Sequence, residues 1–280
     1  MANQTTGKAS TFTQLVSITK YSFLNYLRAR RFLVMVILVV LVNGALTAAV
    51  AYTRSDVFLN SSLGFYGAWW ASFIDIFILL TVVFFGGDAI SGEFQNKTGY
   101  YLVPNPVRRS TIYIGKYLAA FIASTLILVL FLAFTIANGL YYGMGVPSQF
   151  VESFLFAWLY LLTALGVTFF FSSLVKSTSI SILITILLFL FVFSVVDVLA
   201  ETLLKIEPWF SITYAEGIIA NILNVPYPVH YIPPPTSGPG ARIGLPTYNV
   251  GVTEGLIIML VYLVVSSVVG LYLFEKKEFT

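Results

Sequence analysis

The stretch GGDAISGEFQNKTGYYLVPNPVRRSTIYIGK, residues 86–116, holds Asp88, Glu93, Lys97, Arg108, Arg109 and Lys116 in a chain of which only 10% is charged. Asp88 and Glu93 fall near the start of a short candidate helix, where unpaired N–H groups and the helix dipole favour negative charge. Pro104 and Pro106 fix backbone angles and end that helix. The pattern suits a compact, stiff knob that docks on a partner and passes on its movement. The same bases also fit a solvated loop whose positive charge serves only membrane insertion.

Bond chemistry finds little support elsewhere. The chain has one histidine, His230, and no cysteine, which removes thiolate metal sites, cysteine nucleophiles and disulfides. A lone loop histidine reads as a solvated surface residue rather than a ligand. A phosphate-cradling loop needs G-x-x-x-x-G-K-[ST]. Gly7-Lys8-Ala9-Ser10 and Gly115-Lys116-Tyr117 lack both its spacing and its hydroxyl. We therefore expect no catalytic residues, no metal and no cofactor in this chain. Asp75, in WWASFIDIFILLTVVFF, is the one acid well inside an apolar run. An uncompensated charge there costs about 2.5–3.5 kcal/mol, so it should face protein or water, lining a pathway or a dimer interface. A packing role, hydrogen-bonded to Ser72 or a Tyr, is the competing reading. Asp197, near the outer end of a span, is a weaker candidate.

The elements that must position these groups follow from composition. Hydrophobic residues make up 58% of the chain, with 25 Phe and 17 Tyr, and apolar runs of about 20 residues match the hydrocarbon thickness of a bilayer. The sequence predicts an all-α integral membrane protein with spans at 32–52, 68–87, 111–137, 151–174, 179–200 and 252–274. Ahead of them, 11–30 reads as an amphipathic helix on the membrane surface, with Phe12, Leu15, Val16, Phe23 and Leu27 sharing a face. No cleavable signal peptide is expected. A net charge of +3 does not suggest nucleic acid.

Lys and Arg stay on the cytoplasmic side during insertion. With both termini cytoplasmic, only Arg54, Lys205 and Arg242 of the 15 bases fall outside. That topology makes 88–110 the long cytoplasmic loop and LVKSTS at 174–179 the short one. It also puts a Pro-rich segment, 201–251, outside, where PWFSITYAEGIIANIL can form a short interfacial or re-entrant helix. Trp69 and Trp70 should sit at the outer interface with their N–H groups wet. Asn60-Ser61-Ser62 is a glycosylation pattern on the outer side, and Asn96-Lys97-Thr98 is the same pattern inside.

The order Asp88, Ser91-Gly92-Glu93, Lys97-Thr98-Gly99, Pro106-Val107-Arg108-Arg109 and Gly115-Lys116 resembles the first cytoplasmic loop of type-2 ABC transporter permeases, and Ser172-Ser173-Leu174-Val175-Lys176-Ser177 resembles their second loop. Thr98-Gly99 inverts the expected Gly-Thr, and the Pro-rich outer segment is unusual for that family. The resemblance implies an ABC-2, type V exporter-like permease fold as a single domain over 1–280. It implies a plasma-membrane exporter subunit working as a homo- or heterodimer, with ATP and Mg bound by a separate ABC ATPase. Asp88, Ser91, Gly92, Glu93, Lys97, Thr98, Arg108, Arg109 and Lys176 would couple the two, Glu93 reaching the ATPase cleft directly. The rivals are a secondary transporter or channel, for which neither an internal repeat nor matching helix breaks are visible, and an intramembrane enzyme.

Overall fold

The structure, a computed structural model, describes residues 10–53, 60–96, 107–233 and 247–277. Six helices are long and apolar enough to cross a membrane: Arg30–Thr53, Ser62–Gln95, Arg109–Tyr141, Ser148–Leu174, Thr178–Leu204 and Val252–Lys276, called spans one to six below. They cover the six apolar runs, and the fold is that of an all-α integral membrane protein. A single two-residue ladder, Tyr231–Ile232 antiparallel to Thr247–Tyr248, is the β structure among the described residues.

Helix Thr11–Arg28 precedes span one, its first turn capped by the Ser10 hydroxyl, which accepts from Phe12 N at 3.2 Å. Phe12 and Tyr21 project outward, 71% and 70% exposed, whereas Tyr26 is buried. Its Ile18 packs on Gly115 of span three so closely that a Cβ at 115 would lie 2.7 Å from Ile18 Cγ2. One extended residue, Ala29, separates this helix from span one.

Inside the bundle, small residues and hydroxyls replace the hydrophobic effect as the glue, because lipid tails are as apolar as Leu. Spans four and six meet closely at Gly166, where a Cβ would stand 2.7 Å from Ser266 Oγ, and Thr163 donates to Met259 O at 3.2 Å. Asn43 of span one accepts from Trp69 Nε1 at 3.0 Å, and Thr47 donates to Asn138 Oδ1 at 2.8 Å. Trp70 Nε1 donates to Ser153 Oγ at 3.1 Å. Both indoles are fully buried, so the expectation that they sit wet at an interface is wrong. Their N–H groups find side-chain acceptors on neighbouring spans instead of water.

Span two is also less regular than a hydropathy reading suggests. A π turn, Gly67–Ala71, and a turn at Ser72 and Phe73 separate helix Ser62–Tyr66 from helix Ile74–Gly86. Span five carries π turns at Leu188–Phe193 and Ala200–Leu204 and is helical throughout. It is the least buried span, with 11% of its most apolar window covered against 61% for span two.

Candidate functional site

The residues after helix Ile74–Gly86 turn once and form a second, five-residue helix, Ser91–Gln95. Five residues are too few to be helical on local energy alone, since nucleation costs more than so short a run returns. Neighbouring spans supply what is missing. Ser172 Oγ of span four accepts from Ile90 N at 3.1 Å and Ser91 N at 3.0 Å, covering backbone donors that a helix start leaves unpaired. Ser91 is completely buried against it.

Span one contributes Arg31, whose Nη1 donates to both Asp88 oxygens at 2.8 and 2.9 Å and to Phe84 O at 2.6 Å. Span three contributes Lys116, which donates to Glu93 Oε1 and, at 2.9 Å, to Ala89 O. Span five starts at Thr178, whose N and Oγ1 donate to Gln95 Oε1 at 2.6 and 2.7 Å. Span six ends on Phe274, edge-on to Phe94 at 6.0 Å between centroids, and the Lys277 ammonium lies 4.3 Å above the Phe94 ring. Five other spans therefore hold the end of span two.

Around this helix the remaining cations tie helix ends together. Arg109 donates to Glu275 O at 2.9 Å and Lys277 O at 2.8 Å, and Lys277 donates to Ser173 O at 2.8 Å and Val175 O at 2.9 Å. Cations at helix C-termini are favoured by the carbonyls left unpaired there. Burial, with the neighbouring charge of Lys176, lowers the Lys277 ammonium to about 8. Arg108 and Lys176 remain exposed. Beside the helix lies a cavity of about 270 Å³, walled by Asn25, Tyr26, Arg31, Asp88 and Glu93. Burial and the Asp88 carboxylate raise the Tyr26 phenol.

Of the residues singled out from sequence, Asp88, Ser91, Gly92 and Glu93 lie together here, with Arg109 nearby at the start of span three. Lys97 and Thr98 lie outside the described residues, as do Pro104 and Pro106. The Glu93 carboxylate is 15% exposed and engages Lys116 of the same chain. Sequence reasoning missed Gln95 and Ser172 as anchors. It read Arg31 only as a topology signal and Lys116 as a topology signal and a motif residue, without pairing either with Asp88 or Glu93.

On the opposite face, Asp75 occupies the first turn of helix Ile74–Gly86 and is exposed. With Thr213 and Glu216 it lines an open cavity of about 320 Å³. Glu216 is hydrogen-bonded to Tyr160, and burial together with the Asp75 charge raises its carboxyl to about 8. Ser72 donates to Gly67 O at 3.4 Å rather than to Asp75. Asp197 accepts from Thr213 nearby.

The sequence matches the family model described as ABC-2 family transporter protein over residues 16–279. No single curated protein matches it.

Proposed function

Given that the chain belongs to the ABC-2 family of transporter proteins, as a membrane-spanning subunit of an ABC transporter, we propose that helix Ser91–Gln95 receives the stroke of a separate ATPase and distributes it to the bundle. Two such subunits, identical or sister chains, enclose one pathway, and cargo moves outward. ATP and Mg bind the partner, and the exposed Arg108 and Lys176 face it. Both termini lie in the cytoplasm of a cell whose plasma membrane holds the protein, a reading supported by the distribution of Lys and Arg.

The observation that carries this reading is the convergence of spans one, three, four, five and six on the short helix and the turn before it through Asp88–Arg31, Glu93–Lys116, Ser91–Ser172, Gln95–Thr178 and Phe94–Phe274. A push on that helix cannot be absorbed locally, because each contact ends on a different span. Asp75 then has a role as well. Exposed within a span, it needs protein or water beside it, and the second subunit or the pathway supplies them.

A secondary transporter would want two spans unwound at corresponding places. Span two leaves helical hydrogen bonding at the turn of Ser72 and Phe73, whereas span five stays helical through its π turns, which favours the ATP-driven reading. The test is co-reconstitution of the subunit with its ATPase in liposomes. Gln95→Ala should leave ATPase binding intact and lower transport per ATP several-fold. Wild-type transport per ATP in both Gln95→Ala and Glu93→Ala would remove the mechanical argument.

A further inference from the structure

On the face opposite the coupling helix, three segments distant in sequence bring together Glu207, His230 and Glu254, whose donor atoms all lie within 4.8 Å of one another. Glu207 follows span five, His230 precedes strand Tyr231–Ile232, and Glu254 is in the first turn of span six. We propose that they form a binding site for a divalent transition-metal cation, zinc in the first instance, that staples this cap to spans five and six.

The histidine makes the argument. His230 Nδ1 stands 3.0 Å from the carbonyl oxygen of Asn249, which can only accept, so Nδ1 carries the proton. In the neutral ring the lone pair is then on Nε2. That lone pair points at Glu207 Oε2, 3.1 Å away, which also only accepts. Two acceptors do not face each other without a positive charge between them. The carboxylate of Glu254 also turns toward this pair, so three ligand atoms, the Nε2 lone pair among them, face one space within 4.8 Å of one another. A divalent cation in that space is met by all three.

Geometry and surroundings agree. Ligands about 2.0–2.2 Å from a tetrahedral zinc are roughly 3.4 Å apart, close to the present His230–Glu207 spacing, and a small rotation of Glu254 completes three ligands with one position open to water. Asn249 holds the ring from behind: its carbonyl oxygen faces Nδ1 at 3.0 Å, while its backbone N donates to His230 O at 2.8 Å and fixes the segment that carries the ring. This is the outer-shell support usual for a metal-binding imidazole. Glu207 Oε1 accepts from the Tyr214 hydroxyl, and Glu254 Oε2 from Gly251 N at 3.2 Å, so both carboxylates are oriented. One imidazole with two carboxylates favours zinc or a similar transition metal over magnesium and calcium, which prefer oxygen alone.

His230 is the sole histidine of the chain, so diethylpyrocarbonate modification, read by mass spectrometry, reports this site alone. The subunit is purified with a tag free of histidine and compared in chelator, ZnCl2 and MgCl2. At ZnCl2 about ten times the dissociation constant, modification of His230 should slow about tenfold, because a single site is then open in about one molecule in eleven. MgCl2 at the same concentration should have no effect. Glu207→Gln should lose the zinc protection, and Glu201→Gln should keep it. A wild-type rate that micromolar zinc leaves unchanged, or protection that persists in Glu207→Gln, overturns the site. No ATPase or transport enters this test, so its outcome is independent of the coupling assignment.

Discussion

Lys116, two turns into span three, holds the Glu93 carboxylate and the Ala89 carbonyl with the same ammonium group, both side chains being less than one-fifth exposed. Removing either partner of a largely buried pair strands the other charge. Lys116→Ala and Glu93→Ala should each destabilise the purified subunit by about 1–3 kcal/mol, and the double variant should cost clearly less than the sum. Thermal unfolding of the four proteins in one detergent measures this. Additive losses would mean that the two side chains act separately.

Ser172 offers a sharper probe, because one hydroxyl oxygen serves two backbone donors. Ser172→Ala leaves the N–H groups of Ile90 and Ser91 unpaired in a buried site, at about 1–3 kcal/mol each when nothing replaces the bond. Hydrogen exchange at those two amides should speed up at least tenfold, with spans one and three little changed. Unchanged exchange would show that the helix stands without span four.

Asn43→Leu removes the acceptor for the Trp69 indole inside the bundle. The expected loss is about 0.6–2 kcal/mol, the range for hydrogen bonds between membrane helices. Adding Trp69→Phe should restore part of it, since the orphaned donor is then gone. A double variant worse than Asn43→Leu alone would place the energy in ring packing rather than in the bond.

Glu216 sets a pH dependence. Its carboxyl, raised from about 4.5 to about 8 by burial and the Asp75 charge, keeps its proton in the folded chain after the unfolded chain has lost it. The stabilising contribution is complete below about pH 4.5 and is lost as pH rises through about 8. The melting temperature should therefore fall between pH 5 and 8.5 in the wild type and change less in Glu216→Gln. Asp75→Asn should move the midpoint of that fall downward. A parallel decline in Glu216→Gln would assign it to other groups.

The bundle was legible from sequence because hydropathy over about 20 residues is a strong signal, and the surface helix because Ser10 and the Phe12, Leu15, Val16 face mark its start and its side. What composition hides is pairing between distant segments. Trp69 and Trp70 look like interfacial anchors until Asn43 and Ser153 are seen beside them. The turn at Ser72 and Phe73 carries no proline to announce it. Glu93 and Lys116 were both recognisable as belonging to one loop motif, but nothing in their 23-residue separation marks them as partners. His230 read as a lone loop residue because Glu207 and Glu254 stand 23 residues before it and 24 after it in the chain.

Ala29 has a consequence for how the subunit can move. A single extended residue spans about 3.5 Å, so helix Thr11–Arg28 and span one share almost no slack. The helix is itself seated on span three through Ile18 and Gly115. Spans one and three are thus leashed on this face, and a tilt of either beyond a few ångströms must carry helix Thr11–Arg28 with it. The short joint makes the three helices one mechanical unit, and lengthening it at Ala29 by two or three residues would let span one tilt alone.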